Sequence, residues 1–160
     1  MLYTYIAPFA ALSAAQGWLD RLLLAFGVAS LGGIALAGWG VDRHLRTLLW
    51  ASVVGFLLAA TLLLGWPAHP AVLLGATVLW GLAYGGTATL FQTALARRAG
   101  AATDLGQSML VTGWNLAIAV GGVLGGLLLQ SRGAASLPWA LLVLLLGAAL
   151  WLAGRPRAWD

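Results

Sequence analysis

Long apolar runs broken by brief charged punctuation set the pattern of this chain from one end to the other. Read between the charges, the apolar runs predict spans at residues 2–19, 22–41, 47–66, 71–95, 107–130 and 137–153, followed by a short tail at 155–160. A bilayer core of about 30 Å takes roughly 20 apolar residues as a helix. Every run is close to that length. Helices are favoured over a transmembrane barrel because the runs are continuously apolar and lack the alternation of barrel strands. The expectation is an all-α integral membrane bundle of six transmembrane helices.

Composition agrees with the pattern. Hydrophobic residues make up 62% of the 160 positions and charged ones 8%, with a mean hydropathy of +0.96. A soluble domain carries about 25% charged residues, because its surface must meet water. The net charge of +4 comes from scattered arginines and not from a basic face, which argues against nucleic-acid binding. A cleaved leader is disfavoured, since no basic residue precedes the first apolar stretch.

Orientation follows from where the arginines fall. Arg43, Arg46, Arg97, Arg98, Arg155 and Arg157 occupy connections on one side, and Arg21 and Arg132 those on the other. The positive-inside rule then places both termini of this multi-pass membrane protein in the cytoplasm. Trp18, Trp39, Trp50, Trp66, Trp139 and Trp151 fall near span ends, at headgroup level. Trp80 and Trp114 lie inside the fourth and fifth spans and need another explanation.

Small residues recur every four positions in three spans. They are Ala25, Ala29, Gly33 and Ala37 in the second, Thr77, Gly81, Gly85, Thr89 and Thr93 in the fourth, and Gly113, Ala117, Gly121 and Gly125 in the fifth. Such stripes let helix backbones approach closely, and close packing accounts for them in full. Polar side chains concentrate in the first, fourth and fifth spans, while the third and sixth are nearly bare and are expected to face lipid. Polar-rich first and fourth spans hold equivalent places in two triplets, as in a three-plus-three inverted repeat.

Taken in order, several motifs resemble one family. Leu2-Tyr3-Thr4-Tyr5-Ile6-Ala7-Pro8-Phe9, then Gly38-Trp39-Gly40-Val41-Asp42-Arg43-His44-Leu45-Arg46, then Trp80-Gly81-Leu82-Ala83-Tyr84-Gly85-Gly86 with Gln92, then Asn115 with Gly121, Gly122, Gly125 and Gly126 cover nearly the whole chain. The set resembles the second six-helix half of a major facilitator superfamily transporter, and within it the bacterial drug, sugar and nucleoside efflux permeases. The cytoplasmic loop signature departs from the family at Leu45, where glycine is usual, and at Thr47, where a basic residue often follows. The resemblance implies half of a major facilitator fold working by alternating access. It also implies that transport needs a separate N-terminal six-helix half or a second copy of this chain. A truncated, non-transporting membrane protein, acting as an assembly partner or inactive remnant, is the alternative. The Met1 start inside an apolar run fits a split or truncated reading frame.

Candidate substrate-path residues are Gln16, Trp80, Tyr84, Gln92, Trp114 and Asn115, the amides for hydrogen bonds and the indoles as flat faces for a ring-bearing small molecule. Each amide has a second reading, as a link between two helices. Tyr84 and Gln92 are expected on one helix face, being two turns apart. Gly38, Asp42, Arg43 and Arg46 form the candidate cytoplasmic gate, where Asp42 and Arg43 exchange ion-pair partners or only set topology. No Asp, Glu, His or Lys lies mid-span to carry a proton. No catalytic residue, cofactor or metal is expected: both histidines lie outside the spans, and there is neither a cysteine nor a glutamate.

Overall fold

The computed structural model describes residues 4–11, 16–66 and 69–154, and among these every regular element is helical. In order they are α1 (Ile6–Ala10), α2 (Leu19–Gly65), α3 (Pro70–Gly85), α4 (Thr87–Ala99), α5 (Thr103–Arg132) and α6 (Leu137–Ala153), with single 3-10 turns at Gln16–Trp18, Gly100–Ala102 and Ala134–Ser136. Three helical stretches, Leu19–Gly65, Pro70–Arg132 and Ala134–Ala153, are long and apolar enough to cross a membrane.

Turn chemistry explains where the helices stop. Prolines in the opening turns of α3 and α6 sit where their missing N–H costs nothing. Gly100 (φ 50°) ends α4 and Gly133 (φ 77°) ends α5, in a region of backbone space that side chains with a Cβ avoid.

The six expected spans are not six separate helices. The sixth coincides with α6. The second and third run together as α2, which leaves helical geometry at His44 (φ −131°, ψ 32°). Straight, 47 residues would stretch to about 70 Å at 1.5 Å each. Instead Leu22 and Leu63, from opposite ends of α2, share one core cluster with Leu73, Ala76 and Trp80. Val41, Leu45 and Leu49, flanking His44, share another with Leu90 and Ala94. So α2 is a hairpin of two arms folded at His44. The fourth span is divided at Gly86 into α3 and α4. The fifth turns back on α4 after Gly100, bringing Gly106 against Leu95 and Trp114 against Phe91. For the first, the described residues give helix at Ile6–Ala10 and a turn at Gln16–Trp18; residues 1–3 and 12–15 lie outside the described set, as does the tail at 155–160.

Close packing falls where two of the small-residue stripes meet. A Cβ placed on Gly81 would lie 2.6 Å from the Phe26 carbonyl oxygen, and one on Gly86 2.9 Å from that of Gly33. At Gly85 a Cβ would strike the Ser30 backbone. Ala29, Gly33 and Ala37 are the buried positions opposite. A Cβ on Gly55 in the second arm of α2 would lie 3.0 Å from the Ala83 Cβ. Hydroxyls buried by this packing donate within their own helices, Ser30 to the Phe26 carbonyl (2.8 Å) and Thr77 to that of Leu73 (2.8 Å). That local bond keeps a polar group satisfied without demanding a partner across the interface.

Outside this core the surface is apolar. Leu150 is 74% exposed, Val143 67% and Leu24 69%, which suits a helix surface bathed in acyl chains. Along α5 Gly125 is the buried position, and Leu105, Met109, Val123 and Leu127 point outward.

Candidate functional site

A cavity of about 190 Å³ lies between α4 and α5. Ala88, Phe91 and Gln92 line it from α4, and Leu110, Val111, Trp114 and Asn115 from α5. The Phe91 and Trp114 rings meet edge to face at 6.2 Å, a favoured aromatic geometry that makes one wall. Asn115 donates one amide N–H to the Val111 carbonyl at 2.9 Å, which orients its side chain. Gln92 is exposed and has no hydrogen bond to a described residue. No charged residue lines the cavity. Its walls therefore offer aromatic faces and two amides, groups able to accept and donate at once.

Three of the six candidate path residues come together here, namely Gln92, Trp114 and Asn115. The others do not join them. Trp80 is 8% exposed and packs edge-on against Phe26 at 5.1 Å, inside the core between α2 and α3. Tyr84 leans on the same Phe26 ring at 5.7 Å with its outer half exposed. Tyr84 lies in the last turn of α3 and Gln92 in α4, on either side of the one-residue step at Gly86. Gln16 belongs to the turn before α2, and its side chain lies outside the described residues. Phe91 was not singled out from the sequence; its place directly before Gln92 in a polar-rich span is the signal that could have found it.

The loop signature sits at the fold of α2. Asp42 and Arg43 occupy the last turn before the break at His44, and Arg46 opens the second arm. Arg97, in the last turn of α4, reaches across to donate through Nη2 to the carbonyls of Val41 (3.0 Å) and Asp42 (2.7 Å). A cation on the carbonyls at the end of the first arm is favourable twice, through the hydrogen bonds and the helix dipole. Gly38 is exposed, and a Cβ there would meet nothing within 4 Å among the described residues. Leu45 departs from the family's glycine and is buried with Val41, Leu49, Leu90 and Ala94. It fills the inside of the bend.

One further contact ties the N-terminal segment to α5. Tyr5 donates its hydroxyl to the Gly122 carbonyl in α5 at 2.8 Å, and a Cβ on Gly126 would lie 2.9 Å from that hydroxyl. Among the described residues no group of three or more His, Cys, Asp or Glu side chains is placed to hold a metal ion.

Helices of this length and apolarity, closed by glycine-to-backbone crossings, define a polytopic helical membrane protein. The profile of the Major Facilitator Superfamily matches residues 1–160, and the chain belongs to that family. It is similar to the purine ribonucleoside efflux pump NepI of Escherichia coli, 28% identical over 136 residues, which is 84% of this chain and 34% of the pump. The chain thus spans about a third of the length of the curated relative it matches. No solved structure matches it.

Proposed function

We propose that this chain is the second half of a major facilitator transporter that exports a neutral, ring-bearing small molecule, a purine nucleoside being the best candidate. The α4–α5 cavity carries this reading. Paired Asn and Gln side chains match the donor and acceptor edge of a purine, as they do when proteins read adenine. Phe91 and Trp114 supply the stacking surface, and an uncharged lining suits a neutral ligand. Similarity to a purine ribonucleoside efflux pump supports the same class.

In this reading six spans cross the inner membrane, with both termini cytoplasmic, and form a three-plus-three inverted repeat. The first comprises residues 2–19, the two arms of α2 are the second and third, α3 with α4 is the fourth, and α5 and α6 are the last two. The partner is an N-terminal six-helix half or a second copy of this chain, and rocking between the halves exposes the cavity alternately to each side. The bend at His44, held by Arg97, is the cytoplasmic gate that includes Gly38, Asp42, Arg43 and Arg46. The catalytic machinery of an enzyme has no part in this scheme.

Co-expression with a first-half partner in a nucleoside-sensitive bacterial strain tests the reading by measuring export of radiolabelled inosine or adenosine. Export should appear with the pair, and Gln92→Ala or Asn115→Leu should lower it about tenfold, the cost of one good polar contact. Export unchanged in both variants would remove the cavity as the site. Absence of export in every combination would leave the non-transporting alternative.

A further inference from the structure

A second cavity, of about 150 Å³, opens where the two arms of α2 straddle α3 and the start of α4. Leu36 and Ala37 line it from the first arm, Leu48, Ala51 and Ser52 from the second, and Leu82 from α3. Its floor is the close approach of Gly55 to Ala83, so no side chain fills it from below. Leu36 and Leu82 are 57% and 37% exposed at its rim, which opens it to the hydrocarbon around the protein. Ser52 is its single polar side chain.

The groove is apolar along its length and cationic at one end. Arg43 lies seven residues after Leu36, two turns on along the same helix face. Arg97 lies seven residues after Leu90, which also lines the groove, and stands in the same relation to it on α4. Arg97 is fixed over the bend by its bonds to the Val41 and Asp42 carbonyls. Those bonds satisfy the end of the first arm, which leaves the Arg43 guanidinium unspent on it. Among the described residues Arg43 has no ion-pair partner. Asp42, the nearest acid, is about half a helical turn round from the groove-lining positions at 100° per residue.

An apolar slot ending in two guanidiniums at a membrane surface fits an amphiphile with a negative head. We infer that this groove is a binding site for an anionic phospholipid, with one acyl chain along Leu36, Ala51 and Leu82 and the headgroup phosphate at Arg43 and Arg97. A basic pocket between transmembrane helices is a recognised setting for such headgroups. The inference needs membrane embedding and not the transport reading, and a binding assay separates the two. If lipid seats here, it bridges both arms of α2 and the end of α4, and so stiffens the bend at His44.

Native mass spectrometry of the purified chain released from detergent provides the test, with dioleoyl phosphatidylglycerol and dioleoyl phosphatidylcholine as probes. Phosphatidylglycerol should be retained about fivefold or more over phosphatidylcholine, the effect expected of one basic residue at the surface. Arg43→Gln should bring the ratio close to one, and Arg43→Lys should keep most of it. Ala51→Trp, which fills the groove, should remove bound phosphatidylglycerol with helicity retained; Ser52→Leu is the smaller plug to read if the tryptophan variant loses helicity. Equal retention of the two lipids, or retention unaffected by Arg43→Gln or by both plugs, would overturn the assignment. Displacement by glycerol phosphate alone would overturn it as well, since that shows a headgroup contact with no seated chain.

Discussion

Helices α3 and α5 carry the same spelling, but one stripe is packed and the other is packed at one end only. Both repeat small residues every four positions, Thr77-Gly81-Gly85 in one and Gly113-Ala117-Gly121-Gly125 in the other. On α3 the stripe is pressed against the backbone of α2 at Phe26 and Ser30. On α5 a Cβ at Gly113 would touch nothing within 4 Å among the described residues and Ala117 is exposed, while Gly125 at the far end of the stripe is buried. A small-residue stripe is therefore permission for close approach and does not name the partner. On α3 the permission is used within the chain. On α5 it is used only toward Gly125, beside the Gly126 that meets the Tyr5 hydroxyl, and the Gly113–Ala117 part remains open beside the polar residues that line the α4–α5 cavity.

That contrast can be broken by substitution. The largest effect should come from Gly85→Leu, because a side chain would have to displace the Ser30 main chain and no flexible group can yield. Overpacking of this kind costs about 1–3 kcal/mol or more. The thermal midpoint in detergent should fall by about 2–12 °C, at roughly 2–4 °C per kcal/mol for a chain of this size. An unchanged midpoint would mean that the α2–α3 crossing is looser than described. Trp114→Ala should come next, judged by function: nucleoside export falls about tenfold or more, in line with loss of a stacking aromatic, while the midpoint moves far less than for Gly85→Leu. A midpoint loss as large as that of Gly85→Leu would make Trp114 a core residue and collapse the distinction between the helices.

Smaller effects sharpen the same comparison. Tyr5→Phe removes one hydrogen bond to the Gly122 carbonyl and keeps the ring, so stability should drop by about 0.5–1.5 kcal/mol. Accelerated hydrogen exchange should appear around residue 122 and not in α3. Gly113→Ala should be the mildest, within about 0.5 kcal/mol in the isolated chain, as for surface substitutions in general. If pairing with another half covers this face, the same change should weaken the assembled protein more than the isolated chain. Measuring both midpoints checks that.

Much of the architecture was legible before any coordinates. Helical class followed from uninterrupted apolar runs. Three of six candidate path residues converge on one cavity. Two kinds of detail escaped. The Gly86 division of the fourth span could not be anticipated because glycine is also what a tight crossing demands, and this chain uses its neighbours Gly81 and Gly85 for that purpose. The role of Arg97 was hidden because its acceptors are main-chain carbonyls, which leave no signature in the identity of Val41 or Asp42.

Trp80 and Trp114 show where the boundary lies. Both are single indoles inside apolar spans, and nothing in their local sequence tells them apart in kind. Residue chemistry by itself determined that the chain belongs in a membrane, that its helices run in apolar blocks between arginines, and which helices can approach closely. Those are consequences of transfer free energy and side-chain volume, which each residue carries with it. Only the tertiary structure decided that Trp80 is sealed against Phe26 while Trp114 walls a cavity with Gln92 and Asn115. That choice depends on which helix lies opposite, and the packing of residues far apart in the chain sets it.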